Sequence, residues 1–190
     1  MRKIVVSTFV TLDGVMEAPE KWSFDFQGED NMQAALTLVQ SSEALLLGRH
    51  TYEAFASAWP SREDPMGFSQ KMNAMPKYVV SRTLTDAAAS WTPTTVIRED
   101  VVDAVRELKA QPGGDLLMYG SATLMRSLAE HGLIDEYNLL LNPVVVGSGK
   151  LLHPAGSFPH KLTLTGTTAY RGGIVGLRYR PARAAAPVPA

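Results

Sequence analysis

Residues 116–127, LLMYGSATLMRS, join an apolar run to a helical pattern through a turn of very small residues. The apolar run through Tyr119 is typical of a buried strand, and helical spacing continues from 122 to 131. Residues 120–122, Gly-Ser-Ala, stand between them. Small residues suit a tight turn, and they equally suit a loop that a ligand approaches closely. The stretch therefore predicts a strand–turn–helix unit whose turn has two possible purposes.

The composition describes a globular domain and excludes several classes of site. The chain has 190 residues, 45% of them apolar, and a formal net charge of −1. Its basic residues are scattered, whereas a nucleic-acid surface needs concentrated positive charge, so we expect no nucleic-acid partner. The absence of cysteine excludes disulfides and thiolate sites, and the four histidines show no paired metal spacing. We therefore expect no metal.

The N-terminal run MRKIVVSTFVTLDG superficially resembles a secretion signal. Its apolar residues are interrupted by Ser7, Thr8 and Thr11, and the run ends at Asp13 without a small-residue cleavage pattern. No other stretch approaches the length of a membrane span. The sequence therefore predicts a cytoplasmic protein with no membrane partner.

Strand and helix patterns alternate through most of the chain. Apolar, β-branched runs predict strands at 3–12, 44–48, 77–81, 94–97 and 115–119. Helical spacing predicts helices over 32–39, 52–59, 101–108 and 122–131, with one short helix inside the loop 60–76. Further along, the pattern predicts a strand at 135–147 with a break marked by its proline, and a hairpin at 161–180.

This order predicts a three-layer α/β/α domain. Its mixed sheet carries helices on both faces and closes with a C-terminal antiparallel hairpin. We expect one domain over residues 1–180 and a disordered Ala/Pro tail over 181–190. Asp30 and Asp100 are the expected N-caps of the first and third long helical patterns.

Three predicted strand-to-helix junctions suit an anionic ligand: LLLGRHTYEAF (45–55), YVVSRTL (78–84) and the opening stretch. Ligands of parallel α/β sheets bind beyond the carboxyl ends of strands, where helix N-termini attract anions. Ser81 and Arg82 add a hydroxyl and a guanidinium that suit a phosphate. Taken singly, each junction has a plainer interpretation as a turn or a solvated arginine.

Taken in order, LLLGRHTYEAF, KYVVSRTL and LLMYGSATL resemble the three NADPH-binding segments of the dihydrofolate reductase superfamily. The similarity is greatest to the branch that includes the C-terminal reductase domain of the bifunctional deaminase-reductase of riboflavin biosynthesis. TLDG (11–14), GLIDEYNLLLNPVVVGSGKLL (132–152) and the final hairpin share this resemblance. It implies a dihydrofolate-reductase-like fold, NADPH as cofactor, hydride transfer to a small pterin-, pyrimidine- or riboflavin-precursor-like substrate, and a homodimer.

The resemblance also implies cofactor-binding roles for three groups of residues. The pyrophosphate and adenosine side would be lined by Gly48, Arg49, His50 and Thr51. The adenosine ribose and its 2′-phosphate would be held by Ser81, Arg82 and Thr83. The turn and helix start under the pyrophosphate would be Gly120, Ser121, Ala122, Thr123 and Leu124. The family often joins its Gly-Gly pair here by a cis peptide, so we expect a cis Gly120–Ser121 bond.

On the substrate side the resemblance implies a site between the loop after the first strand and the first two helices. The residues expected there are Ser7, Asp13, Trp22, Phe24 and Phe55. Asp13 is a candidate catalytic carboxylate, and its alternative role is that of a turn residue in an Asp-Gly pair.

The first predicted helix bears on the choice of substrate. Folate reductases carry an acidic residue on this helix, but the face from Met32 to Val39 has none, so dihydrofolate is not favoured. The alternative function is a non-catalytic NADPH- or nucleotide-binding module of the same fold.

Overall fold

A computed structural model describes residues 1–182 of the chain. Its strands are β1 (Ile4–Thr11), β2 (Ser42–Gly48), β3 (Lys77–Val80), β4 (Thr94–Ile97), β5 (Asp115–Tyr119), β6 (Glu136–Asn142), β7 (Leu162–Ala169) and β8 (Val175–Pro181). Its helices are α1 (Glu29–Ser41), α2 (Arg49–Ala58), α3 (Phe68–Ala74), α4 (Val101–Ala110) and α5 (Ala122–Glu130). Two short 3₁₀ turns, Pro19–Lys21 and Phe24–Phe26, precede α1.

The strands form one eight-stranded sheet in the order β4-β3-β2-β5-β1-β6-β8-β7. Neighbouring strands from β4 to β6 are parallel, whereas β8 runs antiparallel to both β6 and β7. The predicted mixed sheet with a C-terminal hairpin is confirmed. Since the helical connections cover both faces of the parallel part, its central strands are apolar on both sides.

Strand β2 shows how alternation divides the core into two layers. Leu45 and Leu47 contribute to a cluster that also includes Val39 of α1, Tyr52 of α2 and Met72 of α3. Ala44 and Leu46 point to the opposite face and pack in a cluster with residues of α4 and α5. Successive side chains of a strand point to opposite faces, so one apolar run supplies both layers.

The two predicted helix caps differ from the observed ones. Gly28, not Asp30, is the N-cap of α1, and its N–H donates to Asn31 Oδ1 at 2.6 Å. Asp30 lies inside the first turn, where its carboxylate accepts the N–H of Arg171. The cap prediction for Asp30 was therefore wrong, because a distant loop competes for this carboxylate. Asp100 does occupy the N-cap of α4, but with left-handed backbone and no side-chain cap bond.

The start of β6 and the bounds of the C-terminal hairpin lie close to the predicted positions, whereas β6 stops at the predicted proline break. Strand β6 ends at Asn142 because Pro143 has no N–H to donate to a ladder. Strand β8 reaches Pro181, and the N–H of Ala182 donates to Lys161 O at 2.9 Å. The start of the predicted tail therefore lies in the sheet, and residues 183–190 lie outside the described part of the chain. Within residues 1–182, none of the helices has the length and apolar character that crossing a membrane requires.

Candidate functional site

The sheet order brings the three predicted junctions to one edge. Strand β2 lies between β3 and β5, and all three strands are parallel, so their carboxyl ends point the same way. The turns that follow them are residues 48–51, 81–83 and 120–124, which we call the three-turn edge. Segments that are more than 30 residues apart in sequence therefore converge on one side of the molecule.

Ser121 fastens two of these turns to each other. The N–H of Gly48 donates to Ser121 Oγ at 2.9 Å, and the N–H of Ser121 donates to Thr51 Oγ1 at 3.2 Å. The two hydroxyl groups are also hydrogen-bonded, with 3.0 Å between their oxygens. Gly48, Thr51 and Ser121 therefore hold the end of β2, the start of α2 and the turn after β5 together.

The backbone at the turn after β5 is left-handed at two successive residues. Gly120 has φ 51° and Ser121 has φ 52°. The bond between them is trans, since the one cis bond within residues 1–182 is Thr92–Pro93. The predicted cis bond was therefore wrong: the two left-handed residues turn the chain from strand to helix without it. A Cβ at Gly120 would lie 3.3 Å from Thr51 Oγ1, so glycine suits both the conformation and the space.

The first turn of α5 presents backbone donors at this edge. The first N–H with a helical acceptor is that of Met125, which donates to Ser121 O at 2.9 Å. The N–H groups of Ala122, Thr123 and Leu124 have no acceptor among the described residues. The Leu124 side chain is buried in the core, so this residue offers its backbone alone. Unpaired donors at a helix N-terminus favour an anion.

The cations predicted for this edge differ in their surroundings. Arg49 lies 3.5 Å from Glu53, and the His50 side chain is 79% exposed with its Nδ1 3.8 Å from the same carboxylate. Arg82 is exposed, and its guanidinium has no hydrogen-bond or ion-pair partner in the described part of the chain. The unpaired guanidinium beside β3 is therefore the cation best placed to meet a phosphate.

Ser81 sets the position of Arg82. Its Oγ accepts the N–H groups of Thr83 at 3.2 Å and Leu84 at 2.9 Å, and the residue is buried. This side chain closes the turn after β3, and Leu84 behind it packs in the core. Thr83 itself is exposed. The pair predicted as two ligand groups thus divides into a buried serine that shapes the turn and an exposed arginine.

Asp13 lies on a different loop and is already hydrogen-bonded. Its Oδ1 accepts the Thr11 hydroxyl at 2.5 Å, and its Oδ2 accepts the N–H of Gly147 at 2.8 Å. These bonds, the Thr11 hydroxyl first, hold the pKa of the Asp13 carboxyl below its usual range. A carboxylate so held is a poor proton donor, and it joins the loop after β1 to the loop after β6. The geometry therefore favours the turn-residue alternative over the catalytic role.

The aromatic residues predicted for the substrate side fall into two groups. Trp22 Nε1 donates to Glu17 O at 2.9 Å, and Trp22 lines a cleft of about 430 Å³ against residues 146–149. Phe24, nearby in sequence, is 62% exposed. Phe55 instead packs on Tyr119, with 5.7 Å between ring centroids. Ser7 belongs with this second group, because its Cα partner on β5 is Tyr119.

Three side chains that the sequence did not single out as site residues have buried polar atoms without partners among the described residues, namely Tyr119, Asn138 and Asn142. Tyr119 Oη and Asn138 Oδ1 are both inaccessible and make no hydrogen bond within residues 1–182. Asn138 is the Cα partner of Ser7 on β6. The signal that could have found it is one amide among apolar neighbours in the strand EYNLLLN. An unpaired buried polar group is rare enough to need an explanation.

The described residues hold no group of three side chains that could bind a metal ion. The chain matches the family model for the RibD C-terminal domain over residues 2–176. It belongs to the RibD C-terminal domain family. The resemblance to the riboflavin reductase branch is thereby confirmed. A Bacillus subtilis relative, the uncharacterized protein YyaP, is 28% identical over 181 residues, which cover 94% of each chain.

Solved structures share the dihydrofolate-reductase-like fold of this family. A Shewanella sp. PV-4 protein named for riboflavin biosynthesis aligns with TM-score 0.77 at 18% identity, covering 95% of this chain and 99% of that one. A Thermotoga maritima protein aligns with TM-score 0.69 at 13% identity. Its name is diaminohydroxyphosphoribosylaminopyrimidine deaminase/5-amino-6-(5-phosphoribosylamino)uracil reductase, and the match covers 95% of this chain and 57% of that one.

Proposed function

We propose that the protein is an NADPH-dependent reductase that transfers a hydride to a small heterocyclic substrate of the pterin, pyrimidine or riboflavin-precursor type. The observation that carries this proposal is the three-turn edge. Three neighbouring parallel strands end there, with a glycine turn, unpaired helix N–H groups and an unpaired guanidinium beside one another. Membership of the RibD C-terminal domain family supports a reductase.

The residues present at this edge fit a phosphorylated dinucleotide. The N–H groups of Ala122, Thr123 and Leu124 would face the pyrophosphate, because these donors have no acceptor of their own. Gly120 at the same turn has a left-handed backbone and packs closely against Thr51. The adenosine side would lie towards Arg49 and residues 81–83, which follow the paired positions Gly48 and Val80.

Arg82 would select the 2′-phosphate of NADPH. A charge-assisted hydrogen bond contributes about 1.5–3 kcal/mol, which corresponds to roughly ten- to a hundredfold in affinity. Ser81 holds the turn that presents this guanidinium, so its contribution is to position Arg82 rather than to replace it.

Hydride transfer requires little acid–base catalysis from the protein. NADPH when bound supplies the hydride, and the chain has to bind, orient and exclude water. The pKa of Asp13 is lowered by its hydrogen bonds, so we assign this carboxylate to the loop structure and not to proton donation. A missing catalytic dyad is compatible with a reductase for this reason.

Turnover separates the reductase from its alternative, a non-catalytic nucleotide-binding module. NADPH oxidation is followed in the presence of 5-amino-6-(5-phosphoribosylamino)uracil, its dephosphorylated form and dihydrofolate. We expect oxidation with a pyrimidine and little with dihydrofolate, since no acid lies on the α1 face from Met32 to Val39. NADPH binding without oxidation in any of the three reactions would favour the module, and absence of binding would contradict both.

The protein is also proposed to form a homodimer through its C-terminal strands. Strand β7 is an edge strand of the sheet, and its Leu164 is 51% exposed. Phe158, just before this strand, is a second exposed apolar side chain. Light scattering should show a species of twice the 20.6 kDa chain mass, and a purely monomeric solution would contradict the proposal.

A further inference from the structure

A row of polar residues crosses four neighbouring strands on one face of the sheet. Cα pairing places Tyr119 of β5 beside Ser7 of β1, Ser7 beside Asn138 of β6, and Asn138 beside Arg178 of β8. We call these four residues the polar row. Directly paired residues point to the same face, and Tyr119 packs against the cluster of α1, α2 and α3. With strands about 4.8 Å apart, the row is about 14 Å long.

Two members of the row have polar atoms that the protein leaves unpaired. Tyr119 Oη and Asn138 Oδ1 are buried and have no hydrogen-bond partner within residues 1–182. Such a buried, unpaired group destabilises the fold, because its lost contact with water is not replaced by a hydrogen bond. Burial also raises the pKa of Tyr119, so its hydroxyl stays a donor. Two such unpaired atoms in one row indicate that their hydrogen-bond partner is a bound ligand.

Arg178 ends the row with an unpaired cation. A Cβ at Gly166 of β7 would lie 2.7 Å from Arg178 Nη2 and 2.9 Å from its Nε, so the guanidinium lies across this glycine. Arg178 is exposed and its guanidinium has no partner among the described residues. Arg180, on the same face of the same strand, is instead 3.2 Å from Glu136. The two arginines therefore differ in pairing although they share a strand and a face.

The segment before α1 is joined to the hairpin that carries Arg178. Asp30 Oδ2 accepts the N–H of Arg171 at 2.9 Å, which joins the start of α1 to the turn between β7 and β8. A Cβ at Gly172 in that turn would overlap the carbonyl oxygen of Phe26. These contacts hold the segment from Phe26 to Asp30 against the turn of the β7–β8 hairpin.

We infer that the polar row is the substrate-recognition surface of the proposed reductase. The uncharged part of the row, Asn138 with Ser7 and Tyr119, pairs with the polar edge of a heterocycle. Arg178 contacts an anionic substituent, a phosphate ester, on the same molecule. The neutral side chains provide an acceptor and donors, and the guanidinium fork suits a phosphate. This inference rests on the proposed function for the identity of the site, but its test does not require NADPH.

The first test compares two arginines with two ligands. Native protein, Arg178→Gln and Arg180→Gln are titrated, without NADPH, with 5-amino-6-(5-phosphoribosylamino)uracil and with its dephosphorylated form. We expect native protein and Arg180→Gln to bind the phosphorylated form more tightly, and Arg178→Gln to lose about ten- to a hundredfold for that form alone. Equal loss in both variants, no loss in Arg178→Gln, or no binding of either ligand to native protein would overturn the inference.

Asn138→Leu tests the uncharged part of the row. We expect it to weaken both ligand forms equally, by about tenfold, because the phosphate does not contact this side chain. The Tm of the free protein should stay unchanged or rise, since the variant removes an unpaired buried polar atom. A fall in Tm with unchanged ligand affinity would show that Asn138 is structural, and would overturn its assigned role.

NADPH titration of the same variants separates the two proposals. All three variants should bind NADPH as native protein does, because Asn138, Arg178 and Arg180 lie on β6 and β8, away from β2, β3 and β5. Pyrimidine binding without NADPH binding would contradict the proposed function and leave the recognition surface supported. NADPH binding without pyrimidine binding would do the reverse.

Discussion

The three-turn edge and the polar row differ in which polar groups are left without a hydrogen-bond partner. At the edge, Ser121, Gly48 and Thr51 are hydrogen-bonded to one another, and the free donors there are backbone N–H groups and the exposed Arg82 guanidinium. In the row, side-chain atoms of Tyr119 and Asn138 are buried without partners. Backbone donors in a fixed turn suit a cofactor whose phosphates are always the same. Unpaired side chains suit substrate recognition, because a substitution of one side chain changes the substrate preference without changing the fold.

The first prediction tests the cationic end of the edge. Arg82→Ala should weaken NADPH binding by about ten- to a hundredfold and leave NADH binding unchanged, because NADH lacks the 2′-phosphate. Arg106→Ala is the matched control, since Arg106 is exposed on α4 and paired with Asp103 at 2.8 Å. Calorimetric titration of both cofactors measures the change. An equal loss for NADH would assign Arg82 a general role.

The second prediction tests the close approach at the turn after β5. Gly120→Ala should lower the free energy of unfolding by about 1–2 kcal/mol, the cost of a left-handed alanine, and also weaken NADPH binding. Gly132→Ala is its control: Gly132 also has positive φ, but a Cβ there would meet nothing within 4 Å. Chemical denaturation should show the backbone cost alone for Gly132→Ala, and at least that loss for Gly120→Ala, whose Cβ also meets Thr51 Oγ1 at 3.3 Å. Equal NADPH affinity in both would contradict a role for Gly120 in cofactor binding.

The third prediction separates Asp13 from the polar row. Asp13→Asn should leave kcat with the pyrimidine nearly unchanged, far from the ~10²–10⁴-fold loss that follows removal of a general acid. Its Tm should fall modestly, because the bonds to Thr11 and Gly147 are weakened. Steady-state kinetics and thermal unfolding measure the two effects. A large loss of kcat with normal Tm would restore the catalytic role.

The smallest expected effect is the pH dependence of the contact between Asp30 and the β7–β8 turn. The N–H of Arg171 holds the pKa of Asp30 below its usual range, so the unfolded chain takes up this proton first as the pH falls. The contact therefore stabilises the fold above the ordinary carboxyl pKa, 3.8, and its contribution is lost at lower pH, as Asp30 becomes protonated in the fold. The Tm of native protein should fall further on acidification than the Tm of Asp30→Asn. Identical pH profiles would contradict the assignment.

The sequence predicted the individual strands and the strand-to-helix junctions of the fold. The strands at 94–97 and 115–119 have the predicted bounds, because each is a short apolar run between clear turn signals. The junctions of the three-turn edge were predicted for the same reason, with the cation and the small residues adjacent in sequence. The predicted cis bond between Gly120 and Ser121 was wrong. The hydrogen bonds that hold this turn come from Gly48 and Thr51, about 70 residues earlier, and could not be foreseen from the local sequence.

The polar row could not be read from the sequence. In the sequence Asn138 is simply an amide in an apolar strand, and its pairing with Ser7 depends on a register set over more than 130 residues. Arg178 becomes significant because Gly166 lies opposite it and Arg180 is paired elsewhere. The sequence pattern likewise placed Asp30 at an N-cap, but in the structure its carboxylate accepts the N–H of Arg171 in the β7–β8 turn.

The measurement that tests the central claim most directly is the affinity of native protein for NADPH and NADH, in one buffer at one salt concentration. The unpaired Arg82 guanidinium and the free N–H groups of α5 predict that both dinucleotides bind and that NADPH binds about ten- to a hundredfold more tightly. Equal affinities, or no binding of NADPH, would contradict the assignment of the three-turn edge as the cofactor site.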